Sequence, residues 1–339
     1  MNPRNGIIAG GNWIVDHVKV IDAWPPQDAL ATILGQSTGN GGAPYNVLKN
    51  LARLGATFPL EAIGLVGDDT DGRAILADCR AHDIATAQLR TEPAAATSYT
   101  DVMTERATGR RTFFHQRGAN ARLGSAHFDF SGTHAKIFHL GYILLLDALD
   151  APDATGRPAA AAVLQAARAA GLRTSLDCVS ENSDRFQTVV TPVLSAVDLF
   201  FANDFEAEKL TGIPLGRGDE LNRTAVERAA RQLIQLGVRE WAFIHFPEGA
   251  CACSADGDIA WQPGVRMPAA DIKGTAGAGD AFAAGVLLGL HEDWPIARSQ
   301  ELGICAAATS LLHPTCSASV RPVAGCLELG RTLGFRLAP

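Results

Sequence analysis

The chain of 339 residues lacks several features that would place it in other protein classes. Apolar runs such as the one at 286–290 are far shorter than the roughly 20 residues that cross a bilayer, so no membrane association is expected. The stretch MNPRNGIIAGGNWIVD lacks the basic start and long apolar core of an export signal, and we expect a cytoplasmic location. A net charge of −7 without any Lys/Arg block argues against a nucleic-acid partner.

Metal-binding and common phosphate-binding motifs are missing as well. The seven cysteines are scattered, and only Cys251 and Cys253 lie close together. Because no second Cys/His pair stands at a ligand spacing, the pattern favours two residues on one face of a strand over a metal site. The sequence contains no G-x-x-x-x-G-K-[ST], and no G-x-G-x-x-G follows a predicted strand. A phosphate site in this chain must therefore be built differently.

The residues that are present indicate a globular α/β protein. Hydrophobic residues make up 47% and charged residues 19% of the chain, which is typical of a large buried core. An apolar segment at 6–9 predicts a buried strand, and GGAPYNVLKNLARLG at 41–55 predicts a turn followed by an amphipathic helix. Strand and helix signals alternate again after residue 136. This alternation predicts a mostly parallel sheet covered by helices on both faces.

One stretch breaks the alternation and predicts a β insertion. Residues 97–117 hold two β-rich segments joined by the polar turn ERATGR, which is typical of a hairpin. Together with the alternating segment near 13–38, the hairpin predicts a small antiparallel sheet that stands off the main body. Because no change of composition marks a linker, we expect one domain over residues 1–339, with lid insertions at about 13–38 and 97–117.

The stretch GTAGAGDAFAAG at 274–285 contains the clearest chemical signal. Gly277, Ala278 and Gly279 precede Asp280 at a predicted helix start, where unpaired N–H groups and the helix dipole attract an anion. Small residues allow close approach to those N–H groups. The Asp280 carboxylate can then take the proton from a hydroxyl that attacks a phosphoryl group. The alternative, an ordinary N-terminal acid on a buried helix, accounts for Asp280 but not for the Gly-Ala-Gly before it.

This stretch resembles the second signature of the ribokinase-like (PfkB) family of carbohydrate and nucleoside kinases. The first signature is matched by GGAPYNVLKNLARLG and by GLVGDDTDG at 64–72. Three further motifs follow in family order: GNWIVD at 11–16, GRRTFFHQRGAN at 109–120 and NDFEAEKLTG at 203–212. The resemblance covers nearly the whole chain. It implies a three-layer α/β/α sandwich with a central, mostly parallel sheet and a small β-sheet lid.

The resemblance also implies roles for individual residues. Asp280 is the expected general base, and its amide neighbours Gly277, Ala278 and Gly279 are the expected anion hole. The residues expected to hold the hydroxyls of the acceptor are Asn12, Asp16, Gly41, Gly42 and Asn46. The residues expected on the nucleotide side are Asn203, Glu206, Thr275 and Gly249. Glu206 is further expected to order the water shell of Mg²⁺, because magnesium tends to keep its waters.

Simpler readings of some of these residues stay open on the sequence. Asp16 follows an apolar strand and can be a turn acid, and Asn203 can be a helix cap for DFEAEKL. Gly41 and Gly42 can form an ordinary turn. The family order of the motifs is what favours the functional interpretation over these alternatives.

The chain departs from the family pattern at three places. Gly274 stands where the family usually has an acid, which leaves a requirement for a monovalent cation such as K⁺ open. HFPEGA at 245–250 replaces the usual T-x-G-x-x-G turn, so only Gly249 matches cleanly. SLDCVSEN at 175–182 keeps the acid but lacks the usual Pro-Asn or Pro-Asp after it. Because Asp280 and its glycines are intact, we interpret these changes as those of a subfamily with its own substrate.

The sequence as a whole predicts an ATP-dependent, magnesium-requiring kinase that phosphorylates a primary hydroxyl of a sugar or sugar derivative. An adenosine-like nucleoside is the alternative acceptor. An aromatic lid pocket would favour it, and Trp13, Tyr45 and Phe114 leave that question open. Arg110 and Arg111 leave a phosphosugar acceptor open as a weaker option.

Two further expectations concern function class and assembly. A non-catalytic protein that binds a sugar as a sensor is the alternative from a different class, and the presence of Asp280 disfavours it. Exposed lid strands need to be covered, and with the family analogy they predict a homodimer that pairs through the lid.

Overall fold

The computed structural model describes residues 3–337 of the chain. Within that range the strands are β1 (Ile7–Gly11), β2 (Ile14–Ile21), β3 (Ile33–Gly41), β4 (Leu60–Gly67), β5 (Ile84–Glu92), β6 (Ser98–Glu105), β7 (Arg111–Gln116), β8 (Ile137–Ile143), β9 (Arg173–Cys178), β10 (Leu199–Asn203), β11 (Trp241–Phe246), β12 (Gly249–Ser254) and β13 (Ile259–Pro263). The α-helices in the same range are α1 (Ala43–Leu54), α2 (Thr70–Ala81), α3 (Asp147–Asp150), α4 (Ala160–Ala169), α5 (Asp204–Thr211), α6 (Arg223–Gln235), α7 (Ala278–His291), α8 (Ile296–Ser310) and α9 (Val323–Leu333).

Nine of these strands form one large sheet in the order β13-β12-β11-β10-β9-β8-β1-β4-β5. Every neighbouring pair from β11 to β5 is parallel, and only β12 and β13 are paired antiparallel at one edge. The prediction of a mostly parallel sheet is confirmed. Its long apolar runs follow from burial on both faces.

Helices cover both faces of this sheet. On β10, Phe200 packs into the core that also holds the apolar faces of α4, α5 and α6, whereas Leu199 and Phe201 pack into the core of α1, α7 and α8. Alternate residues of a strand point to opposite faces, so each strand contributes to both cores. The result is the three-layer α/β/α sandwich that the sequence predicts.

The two neighbouring cysteines follow the same rule. Cys251 and Cys253 on β12 both pack into the core of α4, α5 and α6, and both are buried free thiols. Among residues 3–337, no group of three or more His, Cys, Asp or Glu side chains is arranged to hold a metal ion. The prediction that this pair shares one strand face is confirmed.

Helix α1 begins and ends at glycines that the first signature supplies. Gly42 precedes it with φ at 85°, a conformation that favours glycine, and Pro44 stands in its first turn. Gly55 ends it in the left-handed conformation and donates its N–H to Ala52. The turn between β3 and α1 therefore places Gly41, Gly42 and Asn46 at the same edge of the fold.

A second sheet of four strands, in the order β3-β2-β6-β7, stands beside that edge. It consists of the two predicted insertions, with strands at 14–41 and 98–116. The expectation of an antiparallel sheet is wrong for its centre, because β2 and β6 are paired parallel over eight residues from Ile14 to Ile21. Each insertion is an antiparallel pair, but β2 and β6 run outward in the same direction, and the sheet is therefore mixed.

None of the helices within residues 3–337 combines the length and the apolar character that a bilayer span requires.

Candidate active site

A cavity of about 440 Å³ lies where the carboxyl ends of the parallel strands meet the small sheet. Residues in the last two positions of β8, β9, β10 and β11 line it on the body side: Tyr142, Asp177, Cys178, Asn203 and His245. Residues of the small sheet close it from above: Ile14, Asp16, Thr100, Phe113 and His115. This edge is where open parallel sheets usually bind their ligands.

The N-terminus of α7 forms the floor of the cavity. Gly277 precedes the helix with φ at 75°, and no side chain caps the first turn. A Cβ on Gly277 would collide with Cys316, and a Cβ on Gly279 would lie 2.9 Å from the His245 ring. Glycine is therefore required at both positions by backbone conformation or packing. Gly277 and Gly279 line the cavity, with Ala278 between them, so the N-terminus of a helix faces the cavity.

Asp280 lies in the first turn of α7, 3% exposed. Its carboxylate accepts hydrogen bonds from the Asn46 amide, at 2.7 Å, and from the Tyr142 hydroxyl, at 2.9 and 2.8 Å. Burial and the nearby charge of Asp177 outweigh these bonds and raise the pKa of Asp280 to about 7. A carboxylate with a pKa near neutrality is well matched to act as a general base at neutral pH.

A buried acid and histidine lie behind this base. His139 is fully buried, its Nε2 lies 3.4 Å from the Asp177 carboxylate, and its Nδ1 lies 2.9 Å from the Ser175 hydroxyl. Burial raises the pKa of Asp177, and the neighbouring His139 lowers it. Because Asp177 also acts on Asp280, the protonation of the two acids is linked through space.

The acceptor side of the cavity contains most of the predicted hydroxyl-binding residues. Asp16 lines it, and burial together with the charge of Asp280 raises the pKa of Asp16 to about 7. Gly42 and Asn46 line it too, and Gly41 lies directly against the Asp16 carboxylate, where a Cβ would collide with it. Asn46 is also held by Asn40, whose amide donates to it at 2.6 Å.

Asn12 is placed differently from the other predicted acceptor residues. It is fully buried, its amide donates to the Leu145 carbonyl at 3.0 Å, and its oxygen accepts from the Tyr142 N–H. It does not line the cavity. Asn12 therefore holds the backbone that carries Tyr142, and its side chain is engaged by the protein itself.

The opposite end of the cavity carries Asn203 and Glu206. Asn203 caps α5 by accepting from the Glu206 N–H at 2.9 Å, while the Glu206 carboxylate accepts from the Asn203 N–H at 2.9 Å. Ser180 donates to Glu206 at 2.7 Å and accepts from the Asn203 amide at 2.7 Å. Asn203 is therefore a helix cap that also lines the cavity. Burial raises the pKa of Glu206 to about 8.

Two other predicted nucleotide-side residues do not line this cavity. Gly249 opens β12, where a Cβ would collide with the Gln262 carbonyl of β13, so strand packing alone requires a glycine there. Thr275 is exposed, and its carbonyl accepts from Ala278 at 3.4 Å. His245 belongs to the HFPEGA segment, which differs from the family pattern, and it does line the cavity. Burial lowers its pKa to about 4.

Several lining residues were not among the predicted site residues. Tyr142 and Cys316 stand in stretches without a chemical motif, so no local signal identifies them. Asp177 was noted only as a retained acid, although its place at the end of an apolar strand is a usable signal. Of the aromatic residues considered for a base-binding pocket, Trp13 and Tyr45 are buried, and Phe114 stacks on Trp24. The lid aromatic that lines the cavity is Phe113.

Comparison with known proteins identifies the family of the chain. The chain matches the model of the pfkB family of carbohydrate kinases over residues 11–322. It is 28% identical over 300 residues to the ATP-dependent ribose-1-phosphate kinase of Halopiger xanaduensis, covering 88% of this chain and 89% of that protein. It is 26% identical over 305 residues to the probable chloroplastic fructokinase-6 of Arabidopsis thaliana, covering 87% and 72%.

A solved structure shows the same fold. The ribokinase of Arabidopsis thaliana complexed with ribose and ATP superposes with a TM-score of 0.76 at 19% identity, covering 98% of this chain and 100% of that one. The ribokinase-like fold expected from the motifs is thereby confirmed. Because the family model spans both signatures and nearly every element between them, the chain belongs to the PfkB family of carbohydrate kinases.

Proposed function

We propose that the protein transfers the γ-phosphate of ATP to a primary hydroxyl of a sugar or sugar derivative. The observation that carries the proposal is Asp280, a buried carboxylate in the first turn of α7 with a pKa of about 7, facing the cavity beside two glycines. Asp280 takes the proton of the acceptor hydroxyl as its oxygen attacks the γ-phosphorus. The bond from that phosphorus to the bridging oxygen breaks, and ADP leaves with the electron pair.

The helix N-terminus supplies the charge stabilisation in this proposal. The proposed donors are the N–H groups of Gly277, which is the N-cap, and of Ala278 and Gly279, the first two residues of a 14-residue helix whose interior is almost wholly apolar. Fixed donors of this kind stabilise the equatorial oxygens of the transferring phosphoryl group without reorganisation. Their proximity to Asp280 supports a single site for both proton removal and phosphoryl transfer.

The acceptor is proposed to lie between the small sheet and α1. Asp16 and Asn46 offer a carboxylate and an amide to neighbouring hydroxyls, and Gly42 allows a ring to approach the backbone. The small sheet closes over that position, which excludes water and limits hydrolysis of ATP. The lid rings that line the cavity, those of Phe113 and His115, keep an adenosine-like nucleoside as the alternative acceptor.

The donor set at the other end fits a hydrated magnesium ion. Glu206, Asn203 and Ser180 present oxygen ligands, the type that Mg²⁺ prefers, but their hydrogen bonds to one another already occupy much of their capacity. We therefore place Mg²⁺ there through water, where it would neutralise charge on the phosphates of ATP. For K⁺, Gly274 supplies no side-chain ligand, and the proposal includes no monovalent cation.

The outer face of the lid is proposed to pair with a second copy of the chain. Trp24 is 48% exposed and stacks on Phe114, which is 52% exposed, and Ile33 and Leu34 are exposed on β3 at the other edge of the small sheet. Apolar side chains on an exposed sheet are expected to be covered in the functional assembly.

The test is ADP release from ATP and magnesium across neutral sugars, sugar acids, sugar phosphates and nucleosides. We expect acceptor-dependent turnover that falls at least about 1,000-fold in Asp280→Asn, because base and local charge are both lost. Asp271→Asn, which removes an exposed acid nine positions earlier, is the control and keeps full activity. Turnover that persists in Asp280→Asn would remove Asp280 from its proposed role. If acceptors stabilise the protein thermally without any turnover, the sensor alternative stands instead.

A further inference from the structure

The cavity is rich in acids, yet its lining includes no Lys or Arg. Asp16, Asp177, Glu206 and Asp280 all line it, and none of the lining residues is a lysine or an arginine. The raised pKa values of Asp16 and Asp280 show how strongly burial and mutual repulsion act on these acids. A positive group placed at the rim of such a cavity therefore has a large effect on which ligands can enter.

Arg111 is such a group. It begins β7, and the alternate residues Phe113 and His115 on that strand line the cavity, so Arg111 lies on the same face of the lid. Its charge acts on Asp16 and on Cys316, both of which line the acceptor side. Arg111 thus approaches the cavity from the side of the acceptor, whereas Asn203 and Glu206 lie at the other end.

The guanidinium of Arg111 is poorly satisfied by the protein. Its Nη1 is buried without any hydrogen-bond partner among the described residues, and its Nη2 reaches only the Lys273 carbonyl, at 3.5 Å. Burial lowers the pKa of Arg111, which means that its charge is inadequately solvated. Buried polar groups are nearly always paired, so an unpartnered guanidinium nitrogen calls for a ligand.

Gly274 makes room for this guanidinium. A Cβ at position 274 would lie 2.5 Å from Nη2 of Arg111, and 2.9 Å from the His313 carbonyl. Any side chain at this position, including an acid, would displace the guanidinium or neutralise it. The guanidinium of Arg111 can therefore occupy its position only because the chain has a glycine at 274, where the family usually has an acid.

His115 is a second unpartnered group on the same face. Its Nδ1 lies 3.0 Å from the Thr100 hydroxyl, while its Nε2 is buried without a partner. Burial lowers the pKa of His115 to about 4, so the ring is neutral at pH 7. Because Nδ1 is engaged by Thr100, Nε2 is the ring nitrogen left to exchange a hydrogen bond with a polar atom of the acceptor.

We propose that Arg111 is the anion-binding residue of the acceptor site, and that the preferred acceptor is a sugar carrying a phosphate or carboxylate group. This inference rests on the proposed kinase function and narrows its substrate class. The guanidinium binds the anionic group of the acceptor through two parallel N–H donors, and His115 orients an oxygen further along β7. The hydroxyl to be phosphorylated then lies toward Asp280.

The experiment compares matched acceptors in Arg111→Gln, Arg111→Lys and Arg110→Gln. Arg110 is the exposed residue just before Arg111, so its variant makes the same charge change away from the rim of the cavity. The probes are ribose with ribose 1-phosphate and glucose with gluconate. In Arg111→Gln, kcat/KM for the two anionic acceptors is expected to fall about 10- to 100-fold, mainly through KM, with the neutral sugars changed less than about threefold. Arg111→Lys keeps the charge, so its kcat/KM for the anionic acceptors is expected to lie between those of the wild type and Arg111→Gln.

Binding of the same four acceptors, measured calorimetrically without nucleotide, separates this inference from the kinase proposal. If the protein releases no ADP with any acceptor but binds ribose 1-phosphate or gluconate through Arg111, the kinase proposal fails and the anion subsite stands. If Arg111→Gln lowers kcat/KM equally for neutral and anionic acceptors, Arg111 acts only as a structural contact between the lid and the body, and the subsite proposal is overturned. The subsite is equally overturned if neutral sugars are preferred and Arg111→Gln behaves as Arg110→Gln.

Discussion

The hydroxyl of Tyr142 is expected to set the pH at which Asp280 becomes an active base. It donates to the Asp280 carboxylate at 2.8 and 2.9 Å, and this bond lowers a pKa that burial has raised to about 7. Tyr142→Phe removes the bond and keeps the ring. A hydrogen bond to a charged group contributes about 1.5–3 kcal/mol, and one pKa unit corresponds to about 1.4 kcal/mol. The pKa of Asp280 should therefore rise by about 1–2 units.

The consequence is a loss of activity that depends on pH. At pH 7 the ionised fraction of Asp280 falls from about one half to between about 0.1 and 0.01, so the rate should fall about 5- to 50-fold. Near pH 9.5 both enzymes carry mostly ionised Asp280, and their rates should agree within about twofold. The assay is kcat/KM for ADP release between pH 5.5 and 9.5, with any acceptor that the wild-type enzyme phosphorylates.

A matched variant controls for loss of a buried tyrosine hydroxyl. Tyr45 is also buried and donates to Asp78 at 2.6 Å, but it does not line the cavity. Tyr45→Phe should leave the acidic limb of the profile in place. If Tyr142→Phe loses the same factor at pH 7 and at pH 9.5, or shows no shift of the limb, the reasoning about Asp280 is wrong.

Three further outcomes follow from the same structure. The pKa of Asp280 is about 7 in the folded protein, against an ordinary value of 3.8, so the folded state loses stability as pH rises from about 4 to 7. Asp280→Asn should therefore raise Tm by about 2–6 °C at pH 8 and by almost nothing near pH 4. Glu206→Gln keeps the size of the side chain but cannot ionise, so half-saturating Mg²⁺ should rise at least about fivefold in activity titrations. Asp204→Asn, which alters the surface acid that pairs with Arg217, should not change it. Trp24→Ser should convert a dimer into monomer in sedimentation velocity; a species of unchanged mass would rule out pairing through that face of the lid.

Much of the fold could be predicted from the sequence because its signals are local. Gly42 and Gly55 mark both ends of α1, and the glycines before Asp280 mark the start of α7. The parallel pairing of β2 with β6 could not be predicted in this way, since these strands lie about 80 residues apart and nothing in either strand specifies the direction of the other.

The site residues, too, could be predicted only where their signals are local in the sequence. Asp280, Asp16 and Asn46 stand in motifs and are brought together around one cavity. Tyr142 contacts Asp280 only because β8 and α7 meet in space, 138 positions apart in sequence. Asn12 shows that a residue in a motif need not face the ligand, since its buried amide donates to a backbone carbonyl instead.

The raised pKa values in the cavity also make ligand binding a proton-releasing event. Near neutral pH, Asp16, Asp280 and Glu206 hold part of their protons, because burial disfavours their ionised forms. The cation proposed to bind near Glu206 would favour its carboxylate form and release its proton to the solvent. Ligand binding and the protonation of these acids are then linked equilibria. If Mg²⁺ binds as proposed, a modest fall in pH should weaken the binding of a metal-bound nucleotide while leaving both hydrophobic cores unchanged.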